Sequence, residues 1–137
     1  MAAVPNAFIS PQTPFSRTAV ATTADVAWNA PVNVVTLLDE ADNVNGALIT
    51  NLYAITRATL AANLNCALYQ KVGSVYVLIN SAVIATVTPS ATIANGQVSF
   101  GYNPETPLYV QAGKGLGFAI GTTITNGVDA VCWGGFY

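Results

Sequence analysis

Residues 46–72, GALITNLYAITRATLAANLNCALYQKV, place only two charges, Arg57 and Lys71, in 27 positions. Read with period two, the second half puts Leu60, Ala62, Leu64, Cys66 and Leu68 on one face, against Ala61, Asn63, Asn65, Ala67, Tyr69 and Lys71. The first half alternates in the same way, Leu48, Thr50, Leu52, Ala54 and Thr56 against Ala47, Ile49, Asn51, Tyr53 and Ile55. Such alternation belongs to strands whose side chains point by turns to core and outside. A helix is the rival reading, because Ala and Leu are plentiful. However, Thr and Asn recur at interior positions and compete with a helix for backbone hydrogen bonds. The stretch therefore predicts two long antiparallel strands joined near Arg57.

Working outward, the 137-residue chain is long enough to bury a single-domain core. Its unusual property is charge: 7% of residues are Asp, Glu, Lys or Arg, where about 25% is ordinary. Hydrophobic residues reach 53%. A free monomer normally spreads charge over its surface for solubility. This chain must present Thr, Asn, Ser and Gln instead, or cover its surface with copies of itself or a partner; the second reading is preferred. Membrane insertion fails on length, since Val75–Val87 is broken by Asn80 and Ser81 and a spanning helix needs about 18–20 apolar residues. The chain is also too short, and its strands too uneven, for a transmembrane barrel. The N-terminus lacks a basic start and an apolar core, so a cytoplasmic site of synthesis is expected. The basic residues Arg17, Arg57, Lys71 and Lys114 are scattered and the net charge is −2, which does not suit a nucleic-acid partner.

From residue 1 to 16, Pro5, Pro11 and Pro14 separate the apolar Val4, Phe8, Ile9 and Phe15. Proline fixes φ and removes a donor, so this segment reads as an extended arm whose Phe8, Ile9 and Phe15 anchor it to a surface. That surface is either the arm's own domain or a neighbouring subunit. Residues 17–137 then form the folded domain. Arg17–Trp28 reads as a strand closed by Pro31, and Val32–Leu38 as a short apolar strand. The acidic segment Asp39–Gly46, DEADNVNG, reads as a solvated turn. A calcium loop is disfavoured because Ala41 stands where the first Asp belongs and Leu52 where the bidentate Glu belongs.

Gly73-Ser74, Asn80-Ser81 and Asn95-Gly96 read as hairpin turns, the last as the strongest. Gly113-Lys114-Gly115 turns into a strand with Leu116, Phe118 and Ile120 inward. Asn126-Gly127 starts the last strand, with Val128, Ala130, Cys132 and Phe136 on one face and Val131, Trp133 and Tyr137 on the other. Trp133-Gly134-Gly135 carries the mark of a bulge. Nine or ten short strands separated by Gly, Pro or Asn predict an all-β antiparallel sandwich, jelly-roll-like if long connections join distant strands.

With the strands placed, GALITNLYAITRATLAANLNCALYQKVGSVYVLI, NPETPLYVQAGKGLGFAIG and the Gly-rich aromatic end AVCWGGFY resemble the small jelly-roll proteins that decorate tailed-bacteriophage heads and gene-transfer particles. The resemblance covers residues 36–137 and rests on strand order and the phrase PL-x-V-x-AG-x-GL. It implies a virion protein on the head surface, a homo-oligomer with trimeric contacts, cementing the major capsid protein or other virion proteins. A spike or fibre base and a shell subunit are the other roles it leaves open. The low charge and the Pro-containing arm depart from the family pattern, and no site residue carries over.

Catalytic chemistry has little to work with. Without His there is no Ser-His or Cys-His pair. The carboxylate pairs Asp39/Asp42 and Glu105/Asp129 read as surface acids. The glycines around Lys114 lack the spacing of a phosphate-binding loop. Two cysteines and no His leave no set for a transition metal, and no cofactor is expected. Cys66 and Cys132 are either reduced, buried hydrophobes or a disulfide. The expectation is thus a non-enzymatic assembly protein, with Phe8, Ile9, Phe15, Arg17, Arg57, Lys71 and Tyr137 as candidate interface residues and Glu105 as a further register-setting charge. The alternative is a sugar-binding sandwich or a host-attachment module, using Tyr53, Tyr69, Tyr76, Trp133 and Tyr137 as exposed aromatics. Polar partners for such aromatics look scarce.

Overall fold

The computed structural model describes residues 11–137, so Phe8, Ile9 and most of the arm lie outside the described residues. Nine strands run through them: β1 (Thr13–Ala21), β2 (Val35–Leu38), β3 (Ala47–Thr56), β4 (Leu64–Val72), β5 (Val75–Ile84), β6 (Gln97–Ser99), β7 (Leu108–Val110), β8 (Gly115–Ile120) and β9 (Val128–Phe136). A single 3₁₀ turn spans Glu40–Asp42. All strand pairing is antiparallel, in two sheets ordered β1-β9-β3-β6 and β2-β8-β4-β5. β7 joins the first sheet by pairing with β3 beyond the end of β6, so β6 and β7 together make one interrupted edge strand. Successive strands cross between sheets except at β4–β5 and β6–β7. The result is an antiparallel, jelly-roll-like β-sandwich. Among the described residues no helix is long and apolar enough to cross a membrane.

The core lies between the sheets. Leu64, Cys66 and Leu68 of β4, and Leu116, Phe118 and Ile120 of β8, face Ile49, Leu52 and Ala54 of β3 and Val128, Ala130 and Cys132 of β9. These faces are the ones the alternation assigned in β4, β8 and β9. Both cysteines are free and buried, which resolves them as small core hydrophobes. Losing water raises each thiol to about 12.

Five sequence expectations give way to tertiary structure. The two strands flanking Arg57 do not pair with each other; β3 lies in one sheet and β4 in the other. In β3 the alternation breaks once: Ala47 and Ile49 point inward, then Leu52, Ala54 and Thr56. The register with β9 shifts between Ile49 and Asn51, so Thr50 is an extra residue and Leu48 falls on the outer face. Gly134 sits opposite Ile49, and a Cβ there would run into the Leu48 carbonyl. The bulge signalled by the paired glycines is thus shared with β3.

Asn80-Ser81 is no turn. β5 passes straight through it, with a register shift opposite Leu68 and Tyr69, because the Asn80 amide reaches across to donate to the Phe100 carbonyl at 2.9 Å. Nor does Asn95-Gly96 close a hairpin. The Asn95 side chain donates to the Thr56 carbonyl at 2.9 Å and the Gly96 carbonyl accepts the Thr56 N–H at 2.9 Å, which docks the incoming β6 on β3 instead.

The last departure is the segment read as one strand from Arg17 to Trp28. It starts at Thr13 and ends at Ala21. The chain then leaves its sheet and straps the outer face of the other, packing Trp28 and Val34 over Ala67, Tyr69 and Ala119. Asp25 organises the strap: it is 2% exposed, and its carboxylate accepts the N–H groups of Val32 and Asn33 at 2.9 and 3.0 Å. Burying a carboxylate is tolerated only with such donors. The Tyr69 hydroxyl donates to the Trp28 carbonyl at 3.2 Å, and burial, then the nearby Asp25 charge, raises the phenol's pKa.

Candidate functional site

The sequence-derived interface residues are spread over the molecule and largely tied to it. Phe15 lies in β1 and stacks on Phe136 of β9, ring centroids 4.3 Å apart. Arg17 reaches over both rings, 5.6 Å from each centroid, and pairs with Asp42 at 3.6 Å. Arg57 makes a two-pronged contact with Asp129 at 2.8 Å on each prong, and this hydrogen-bonded partner raises the guanidinium pKa further. Lys71 pairs with Glu40 at 3.5 Å, and Glu40 also accepts the Gly73 N–H at 2.9 Å. Tyr137 packs edge-on against Tyr109, centroids 6.0 Å apart. Lys114 and Glu105 have no ion pair among the described residues.

The acidic segment is anchored structure. Asp39 caps the 3₁₀ turn through the Ala41 N–H. Asn43, within this segment, is fully buried, and its side-chain amide donates to the carbonyls of Gln111 and Lys114 at 2.7 and 2.9 Å. Its backbone carbonyl accepts the Gly113 N–H at 2.7 Å. The segment therefore holds the β7–β8 turn. No cluster of three His, Cys, Asp or Glu side chains suited to a metal occurs among the described residues.

Two surfaces remain. One is the free edge of β5, the last strand of its sheet. Its ten residues, VYVLINSAVI, include no charge, and Val75, Val77, Leu78 and Val83 are 62%, 54%, 46% and 51% exposed. Val72 continues this apolar surface across the Gly73-Ser74 turn. Natural edge strands are usually protected by Lys, Pro or bulges; here only the bulge is present.

The other surface is a cleft of about 540 Å³, open to solvent, on the outer face of the opposite sheet, lined by Asn51, Tyr53, Gln97, Val98, Ser99 and Trp133. The register makes it. Asn51 pairs with Trp133, Tyr53 with both Val131 and Ser99, and Ile55 with Gln97, so these side chains share one face. The Tyr53 and Trp133 rings meet edge to face, centroids 5.8 Å apart at 78°, an arrangement their quadrupoles favour. Without the extra residue at Thr50, unbroken alternation from Ile49 would turn Asn51 and Tyr53 into the core. The bulge is held by the Thr50 hydroxyl donating to the Trp133 carbonyl at 3.3 Å.

Of the aromatics considered for sugar binding, Tyr53 and Trp133 come together and polar partners accompany them. Tyr69 is buried, with Tyr76 edge-on to it, and Tyr137 is far along the chain's own packing with Tyr109. Sequence alternation puts Asn51, Tyr53 and Trp133 on faces opposite Leu52 and Cys132, but their meeting depends on the long-range register of β3 with β9 and β6, which alternation does not report. Comparison with protein families, with curated proteins and with solved structures finds no match to this chain.

Proposed function

We propose that this chain is a non-enzymatic structural subunit that works by assembly, as a homo-oligomeric decoration protein on the head of a tailed-phage-like particle, made in the host cytoplasm. The observation that carries the reading is the uncharged, exposed β5 edge, Val75–Ile84, on a chain whose net charge is only −2. In water such an edge invites strand pairing and aggregation; in an assembly it is a contact. Three of the four basic side chains are held in ion pairs within the chain, so little charge opposes close approach of copies. Lys114 and Glu105 remain to set register, where isolated charges act more on specificity than on affinity.

The physical mechanism is burial of apolar surface, at about 25 cal/mol per Å², joined to main-chain hydrogen bonds along the β5 edge. The virion setting and the trimer are supported by the sequence resemblance over residues 36–137. The sandwich order is one that capsid proteins share with lectins. No part of the reading needs a catalytic group.

Hydrogen exchange tests it. In the native assembly the outward amides of β5 should be protected, and the double substitution Val77→Lys, Val83→Lys should free them while leaving β4 and β8 protected. Fast exchange along β5 in the native sample would defeat the proposal.

A further inference from the structure

We infer that the Tyr53–Trp133 cleft is a binding site for a neutral saccharide. It lies on the sheet opposite the β5 edge, so it adds a recognition function to assembly and does not depend on it.

A solvated sheet face normally carries polar side chains. Trp133 is 41% exposed on β9, which has β1 on one side and β3 on the other. An indole in that position packs its edge against Tyr53 yet still leaves a large apolar area in water. Tyr53 stands edge-on beside it, so the pair offers an L-shaped apolar corner and not a flat patch. A pyranose ring presents an axial C–H face to such a wall, and the electron-rich ring face attracts those polarised C–H groups.

The rest of the lining fixes the chemistry of the ligand. Asn51, Gln97 and Ser99 surround the aromatic corner. Amides and hydroxyls each donate and accept, as sugar hydroxyls do. Ser99 is the one engaged within the chain, its Oγ accepting the Gly101 N–H at 3.1 Å, which leaves its proton to donate. No lining residue is charged. The nearest ion pair on the face, Arg57–Asp129, is closed on itself. An anionic or cationic ligand would find no counter-charge, whereas a neutral polyol loses little on entering. A few polar groups converging on an apolar wall is the usual make-up of a small-molecule site.

The backbone gives a second, independent sign. The Thr50 bulge sits at the cleft and re-aims Asn51 and Tyr53 outward; bulges are over-represented where a side chain must be presented. The edge strand is interrupted at the same place, since residues between β6 and β7 leave the sheet where β3 bulges.

The test is a tryptophan-fluorescence and calorimetric titration of the full chain with neutral probes: maltotriose, laminaritriose, xylotriose, mannotriose and chitotriose. At least one should bind, shift the emission, and lose about tenfold in affinity on Trp133→Ala and severalfold on Gln97→Ala. Both positions lie on the outer face, and Gln97→Ala at an edge serves if Trp133→Ala alters the fold. The site is overturned if none of these probes binds below about 10 mM. It is also overturned if binding survives Trp133→Ala and Gln97→Ala, or if a proline-rich or extended peptide competes for the cleft while the sugars do not. Unchanged particle mass in the Trp133→Ala chain separates this result from the assembly reading.

Discussion

Replacing Gly134 by alanine should cost this protein more than any other single methyl. Gly134 lies in β9 between β1 and β3, opposite Phe15 and Ile49. An added Cβ would overlap the carbonyl oxygen of Leu48 and press on the Leu48 carbonyl carbon at 2.8 Å and the Ile49 Cα at 3.0 Å. All three obstacles are backbone of a central strand, so no rotamer change relieves them. Either β3 and β9 separate, breaking ladder bonds on both sides of the bulge, or the strands shift register and carry Trp133 and Tyr53 with them. Overpacking of this kind costs about 3 kcal/mol or more.

Two alanine controls separate the clash from the general effect of filling a glycine. Gly121 has ordinary room, with Asn65 Cβ and Trp28 Cη2 both at 3.6 Å. Gly121→Ala should therefore be neutral or stabilise by about 0.5 kcal/mol, through the unfolded chain. Gly113 has open space but φ of +78°, so Gly113→Ala should cost about 1 kcal/mol from backbone conformation alone. Urea unfolding followed by fluorescence, with the slopes compared, measures all three. If Gly134→Ala unfolds within about 0.5 kcal/mol of the parent chain, the bulged register between β3 and β9 is wrong, and the cleft built on it falls too.

Other consequences can be checked with the same samples. Asn43→Ala should destabilise by about 2–3 kcal/mol, since it strips the carbonyls of Gln111 and Lys114 of a buried donor; Asn43→Asp should be worse, because a carboxylate would face those oxygens. Burial holds the Cys66 and Cys132 thiols up at about 12, against 9.0 when free. Stability from them is therefore full below about pH 9 and declines as pH rises towards 12, by about 1.4 kcal/mol per thiol per unit. Alkaline urea titrations read that slope, and labelling with a thiol reagent near about pH 8 should be slow until the chain is unfolded. Deleting residues 1–10 leaves β1 whole, so the domain should keep its melting transition while its assembly weakens; unchanged assembly would remove the arm from the account.

The sequence reading succeeded where side-chain pattern and local geometry agree. Leu64, Cys66 and Leu68 alternate and are buried as a row; Gly113 turns with φ of +78° because the turn needs the left-handed region. It failed where a distant partner decides. Nothing in LITNL announces that Thr50 is extra, since the bulge answers Gly134 on another strand. Asn95-Gly96 has the composition of a hairpin, yet its amide is claimed by Thr56. Asp25 looks like one more polar residue of a strand, but it is the buried anchor of a strap. Sheet membership is also not local: β3 and β4 are neighbours in sequence and face each other across the core. The candidate cleft combines a bulge, a register and a face; alternation puts Asn51, Tyr53 and Trp133 outward, while their meeting with Gln97 and Ser99 needs the pairing of β3 with β9 and β6.

The most direct measurement is the solution mass of the untagged full chain by light scattering behind gel filtration, at micromolar concentration and ordinary salt. The account expects a defined multiple of 14.1 kDa, a trimer first, that falls to a single chain in the Val77→Lys, Val83→Lys variant. A stable, soluble species of 14.1 kDa across the concentration range, indifferent to those lysines, would contradict it.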